Sequence, residues 1–118
     1  MTNPISVPIG PIGYQDMIEK AVEHWYVELQ DGAGNKLLRI NTSDSRCERV
    51  GAVGTSPVRF KMTVTGADMP SLPTEVARTA IFRNSTDSTP IAEGPIVGAL
   101  LYLPTDQVAV ITPIYVPE

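Results

Sequence analysis

Val58, Phe60, Met62 and Val64 alternate with Arg59, Lys61, Thr63 and Thr65. A strict period of two marks a strand with one face buried and one face in water. Trp25-Tyr-Val-Glu-Leu-Gln30 shows the same alternation, with Trp25, Val27 and Leu29 on the inward side. Asp31-Gly-Ala-Gly-Asn35 reads as a turn, and Lys36–Asn41 as the returning strand of a hairpin. Further strands are predicted at Arg46–Val50, at Val76–Arg83 and at Pro90–Gly94. The count is about seven or eight short strands at near ten-residue spacing, the pattern of an antiparallel sandwich or small barrel. Strands and helices do not alternate, so a nucleotide-binding α/β fold is not expected.

Only one segment has helical spacing. Within and just after Tyr14–His24, the residues Met17, Ile18, Ala21, Val22 and Trp25 fall on one apolar face. Asp16, Glu19 and Glu23 take the other face, read as solvated. Residues 1–13 carry prolines at 4, 8 and 11 and glycines at 10 and 13, so an extended arm is predicted there rather than a helix. The arm also carries Ile5, Val7, Ile9 and Ile12, which are expected to contact a different chain. The division is therefore an extended Pro-rich arm at 1–13 and a single β-rich domain at 14–118. The fold class read from these patterns is mainly β: an antiparallel β-sandwich or small barrel with one short N-terminal amphipathic helix and an extended N-terminal arm.

The last third breaks the alternation. Ile96–Leu103 and Val108–Val116 are apolar at nearly every position and flank Pro104-Thr-Asp-Gln107. They read as a hairpin that needs cover on both faces. A chain of 118 residues has little material to cover it. A partner subunit is expected to do part of that, with Leu101, Leu103, Ile111 and Ile114 in the contact.

Composition narrows the function classes. The net charge of -4 argues against nucleic-acid binding, which needs clustered Lys and Arg. The single Cys47 excludes an internal disulfide and a Cys-rich zinc site, and with His24 the only histidine no metal triad of the usual kind is available. No run approaches the roughly 20 apolar residues of a membrane helix. No basic stretch precedes an apolar one at the N-terminus, so no signal peptide is expected, and folding in a reducing cytoplasm is. His24 reads as a cap at a helix end rather than a general base. Cys47 reads as a buried thiol rather than a nucleophile. Asp31–Asn35 has one carboxylate where a calcium loop has several, so it reads as a turn. No catalytic residue, cofactor site or metal site is expected.

Thr79-Ala-Ile-Phe-Arg-Asn-Ser-Thr-Asp-Ser-Thr-Pro-Ile-Ala-Glu-Gly-Pro-Ile96 resembles a hairpin of small structural proteins of tailed bacteriophages. Those proteins pair a β-run with a polar turn and a Gly-Pro-containing return, followed by an apolar hairpin. They also tend to begin with a short amphipathic helix and a strand like Trp25–Leu29. The turn departs from that pattern, with Thr86-Asp-Ser-Thr89 where Gly-Gly is usual. The resemblance implies a non-enzymatic virion component, made in the host cytoplasm. The expected role is a capsid decoration (cement) protein, with a tail accessory component as the alternative. Its expected partners are further copies of itself and the major capsid protein or tail proteins, with no nucleic acid and no membrane. A carbohydrate-binding module is a second class, since Trp25, Phe60, Phe82, Tyr14, Tyr26, Tyr102 and Tyr115 could stack sugars. A small enzyme ranks last.

Overall fold

The computed structural model describes residues 10–51 and 58–114. Its elements run α1 (Pro11–Ala21), β1 (Tyr26–Gln30), β2 (Lys36–Asn41), β3 (Cys47–Val50), β4 (Val58–Thr65), β5 (Thr74–Phe82), β6 (Ala92–Leu101) and β7 (Gln107–Ile114). The fold is mainly β, with two antiparallel sheets and one short α-helix. One sheet has the order β2-β1-β5-β6, the other β3-β4-β7.

The two sheets face each other across one core. Val27, Leu29, Ile40, Val76 and Leu101 come from the first sheet, and Cys47, Phe60, Met62, Val64 and Val110 from the second. The alternation at β4 places Phe60, Met62 and Val64 inward. Register continues it across the sheet, with Met62 between Cys47 of β3 and Val110 of β7. The expected hairpin at β1 and β2 forms, and Asp31 builds its turn. The Asp31 carboxylate accepts the backbone N–H groups of Ala33 at 3.0 Å and Asn35 at 2.9 Å, and Gly34 supplies the positive φ of 87°.

Three expectations are corrected. The helix begins at Pro11, inside the segment assigned to the arm, and ends in a 3₁₀ turn at Val22–His24. Proline is compatible with the first helical position, because its missing N–H has no partner there and its φ is already helical. The Gly10 carbonyl accepts the Tyr14 N–H at 3.1 Å and opens the helix. The helix's predicted apolar face is only partly used. Val22 is buried and Ile18 packs on the core, but Met17 stands exposed. Its polar face is not wholly solvated either, since Glu19 turns in to pair with Arg49 of β3.

The third correction concerns the last third. The hairpin expected over residues 96–116 is not formed by residues 96–114. β6 pairs with β5, β7 pairs with β4, and the chain changes sheets at residues 102–106. Two sheets packed about 10 Å apart can be joined by so short a link. The crossing is held by a clamp. Asp106 accepts the N–H groups of Tyr102 and Leu103 at 2.9 Å each, while Gly66 and Ala67 donate to the carbonyls of Asp106 and Pro104. A side chain at Gly66 would place its Cβ 2.1 Å from the Leu103 carbonyl oxygen, so only glycine fits.

Candidate interaction surface

β6 and β7 are the edge strands of their sheets, side by side at one edge of the sandwich. They do not pair with each other, and among the described residues no strand pairs with their outer edges. The open edge is apolar. On β6, Ala99 and Leu101 turn in while Val97 and Leu100 turn out, and Val97 is 95% exposed. On β7, Val108, Val110 and Thr112 turn in while Ala109, Ile111 and Pro113 turn out. Tyr102 and Leu103 add two exposed apolar side chains at the crossing. An irregular stretch opposite Val76–Arg78 interrupts β6, where Pro95 and Ala99 are the nearest paired positions. Interruptions of this kind blunt an exposed edge. β7 has none and keeps register with β4 from Gln107 to Ile114.

A slot opens between the two edges. Ala92–Ile96 line one wall, and Ile111, Thr112 and Pro113 line the other. Thr79 and Ile81 of β5 lie at its floor, where the hydroxyls of Thr79 and Thr112 meet at 3.2 Å between the sheets. Its volume is about 280 Å³. The lining is aliphatic apart from that hydroxyl pair, the Thr backbones and Glu93.

The predicted contact residues divide. Leu103 and Ile111 are exposed on this edge. Leu101 is not available for contact: it is 1% exposed and packs in the core of its own chain. In an apolar run without polar alternation, nothing local says which residues turn inward, and Leu101 falls on the inward side. The Ile114 side chain lies outside the described residues, as do Ile5, Val7 and Ile9. Ile12 belongs to α1, where it is exposed, rather than to an arm. Val97, Leu100 and Tyr102 were missed. No local signal separates them, since a period of two from Leu101 would also turn Val97 and Leu103 inward, and both are exposed.

A second concave region lies on the outer face of the four-stranded sheet, with a volume of about 500 Å³. Glu28, Gln30, Arg39, Arg78, Phe82 and Glu93 line it. Glu28 alternates with Val27 and Leu29 and reads as solvent-facing, yet it is 3% exposed. Arg39 accounts for this. Its Nε donates to Glu28 Oε1 at 2.9 Å, and its Nη1 donates to the carbonyls of Asn84 and Asp87 at 3.2 and 2.9 Å. The guanidinium also lies 3.5 Å above the centre of the Phe82 ring, a cation–π stack. The β5–β6 turn is thereby drawn over the sheet face. Gln30 donates its side-chain amide to the second oxygen of Glu28.

The remaining candidates are placed plainly. Cys47 is buried, and burial, with the charges of Asp44 and Glu48 behind it, pushes its thiol up to about 11. It is therefore a thiol rather than a thiolate at neutral pH. His24 is exposed in the 3₁₀ turn. Among the described residues no three His, Cys, Asp or Glu side chains gather as a metal-binding group, and no helix is long and apolar enough to cross a membrane. The chain matches no protein-family model, no curated protein and no solved structure.

Proposed function

We propose that this chain is a non-enzymatic structural protein of a tailed-bacteriophage virion, a capsid decoration protein that docks through its β6–β7 edge. One observation carries the docking role. Val97, Leu100, Tyr102, Leu103 and Ile111 stand exposed around an edge where the two sheets leave strands unpaired. Isolated exposed apolar side chains are ordinary, but five on or beside two neighbouring edge strands are what a protein contact covers. The virion setting rests on the resemblance of residues 79–96. The carbohydrate-binding reading finds less support. In the polar concavity the aromatic side chain is Phe82, and Arg39 already occupies its face.

Mass spectrometry of purified particles from the genome that encodes the chain tests this reading. The chain is expected in the particles at a fixed ratio to the major capsid protein. Its absence from particles, with the protein abundant in the same lysate, overturns it.

A further inference from the structure

We infer that β7 pairs antiparallel with β7 of a second copy of this chain, across a two-fold axis at Ala109, so that two three-stranded sheets join into one. The inference rests on that edge being a contact surface, as proposed above, and names what its β7 side meets.

The ladder shows which backbone groups β7 holds out. In an antiparallel sheet, alternate residues of a strand bond to opposite neighbours. On β4, the Thr63 N–H donates at 2.8 Å to the carbonyl of Arg46, just before β3. The Gly66 N–H, just past β4, donates at 2.8 Å to the carbonyl of Asp106, just before β7. Odd-numbered residues of β4 therefore bond toward β3 and even-numbered ones toward β7. Through the unbroken register, Val108, Val110 and Thr112 bond back to β4. Gln107, Ala109, Ile111 and Pro113 turn their backbone groups to the other side, where among the described residues no strand pairs with them. Pro113 sits where a strand proline is tolerated, with its nitrogen facing away from the ladder.

That side of β7 lacks the devices that keep an edge strand from pairing. Charged side chains, shortness, prolines and bulges serve this purpose. β2 carries Lys36 and Arg39, β3 has four residues with Glu48 and Arg49 among them, and β6 is interrupted near Pro95. β7 runs for eight residues with no charge and no break, and Pro113 stands next to its last position.

A second copy fits because β7 pairs with its own reverse without conflict. With Ala109 of each copy opposite the other, Gln107 faces Ile111, and every outward N–H meets an outward carbonyl. Pro113 then falls beyond the pairing. An axis at Val110 would instead set Gln107 against Pro113 and leave the Gln107 carbonyl without its donor. No like charges oppose one another, and the exposed Ala109 puts only a methyl group at the axis. On the inner face Val108 meets Val110, an aliphatic cross-strand pair. The joined sheet ends at both sides in the short, charged β3, so the contact is isologous and closes at two copies. β6 lies beside β7 at the same edge, and the same approach brings its exposed Val97 and Leu100 to the contact.

The test uses the full chain, for which sedimentation should show a reversible dimer. Ala109→Lys and Ala109→Glu each set like charges opposite one another across the axis. Each should weaken self-association by about tenfold or more at low salt. Mixing the two variants should restore association as a heterodimer, an outcome that requires position 109 to meet itself. Because Ala109 is exposed, both variants should keep the parent's unfolding midpoint at a concentration where the parent is monomeric. Ala109→Cys should also oxidise to a linked dimer, since Cα atoms of a bonded pair lie about 5.5 Å apart; the parent chain, with Cys47 buried, is the control. A mixture as weak as its components, with the parent dimeric, overturns the inference. A dimer that Ala109→Lys leaves intact and Leu100→Lys disrupts also overturns it. A chain that stays monomeric at high concentration yet is held in particles overturns the pairing and leaves the docking role. A rescued heterodimer from a chain absent from particles supports the pairing and removes the capsid role.

Discussion

On the outer face of the four-stranded sheet, buried polar groups find their partners within the chain; at the β6–β7 edge, apolar groups do not. Glu28 meets Arg39 and Gln30, and Arg39 meets two carbonyls and the Phe82 ring. That face is concave and charged, and so has the look of a binding site. Its most deeply placed groups are nonetheless spent on holding the β5–β6 turn. The β6–β7 edge has the reverse character. Its slot is smaller and lacks a charged pair, but Val97, Leu100 and Ile111 are more than half exposed around it. Unsatisfied surface, rather than cavity size, separates the region that completes the monomer from the region that seeks a partner.

The comparison breaks first if Arg39 is dispensable. Arg39→Ala leaves a carboxylate at a site where Glu28 is 3% exposed, frees the turn carbonyls and uncovers Phe82. Removing one partner of a buried pair costs about 3–5 kcal/mol. Urea unfolding at neutral pH should show a loss of that size. Adding Glu28→Gln to Arg39→Ala should recover part of it, since the stranded charge is then gone. A loss below about 1 kcal/mol would mean that the pair behaves as an ordinary surface ion pair and the face is not self-contained.

Much of this architecture was legible in the residues, and the limits of legibility follow the same division. β4 could be read directly because Arg59, Lys61 and Thr63 mark its wet face against Phe60, Met62 and Val64. The turn at Asp31–Asn35 could be read because its carboxylate and glycines have local roles. β6 and β7 were recognisable as strands, but their pairing was not. Apolar residues flanking a short turn satisfy a hairpin and a sheet crossing equally, and the deciding clamp at Gly66 and Asp106 joins residues forty positions apart. The buried network of Glu28 and Arg39 was hidden for a related reason. Glu28 in an alternating strand reads as solvated, and only cross-strand register with Arg39 and the folding-over of residues 84–87 buries it. Leu101 was misassigned to the contact because its run lacks polar markers of inside and outside.

Acid sharpens the comparison by loosening the clamp beneath the apolar edge. Asp68 caps the turn at Gly66–Asp68 that receives the β6–β7 crossing. The Thr65 N–H, 2.9 Å away, and then Arg46, whose Nη1 lies 2.8 Å from Asp68, hold its carboxyl below the ordinary 3.8. A carboxyl depressed on folding binds protons more readily in the unfolded chain. Its contribution is therefore full above the unfolded value near 3.8 and is lost as pH falls through the lower folded value. Asp68→Asn should cost about 1 kcal/mol at pH 7. The gap to the parent chain should close as pH drops below that range in urea titrations. A gap that persists unchanged at pH 2 would show that the amide fails for reasons other than charge.

The smallest effect on stability is expected where the effect on assembly is largest. Val97→Ser and Leu100→Ser change side chains that touch little in the monomer. Surface substitutions of this kind stay within about 0.5 kcal/mol. Val97 is the stricter probe, being 95% exposed on the interrupted stretch of β6. If the edge is covered in the assembled state, each truncation removes apolar area from that contact. Sedimentation should then report a self-association constant weakened by about tenfold or more per site, at an unchanged unfolding midpoint. The same substitution at Val76, which is fully buried on β5, should reverse the pattern and lower the midpoint. Should Val97→Ser and Leu100→Ser leave association untouched while Ile111→Ser disrupts it, the contact lies along β7 and the outer side of β6 is bare surface. Should all three leave it untouched, the apolar edge is not an interface.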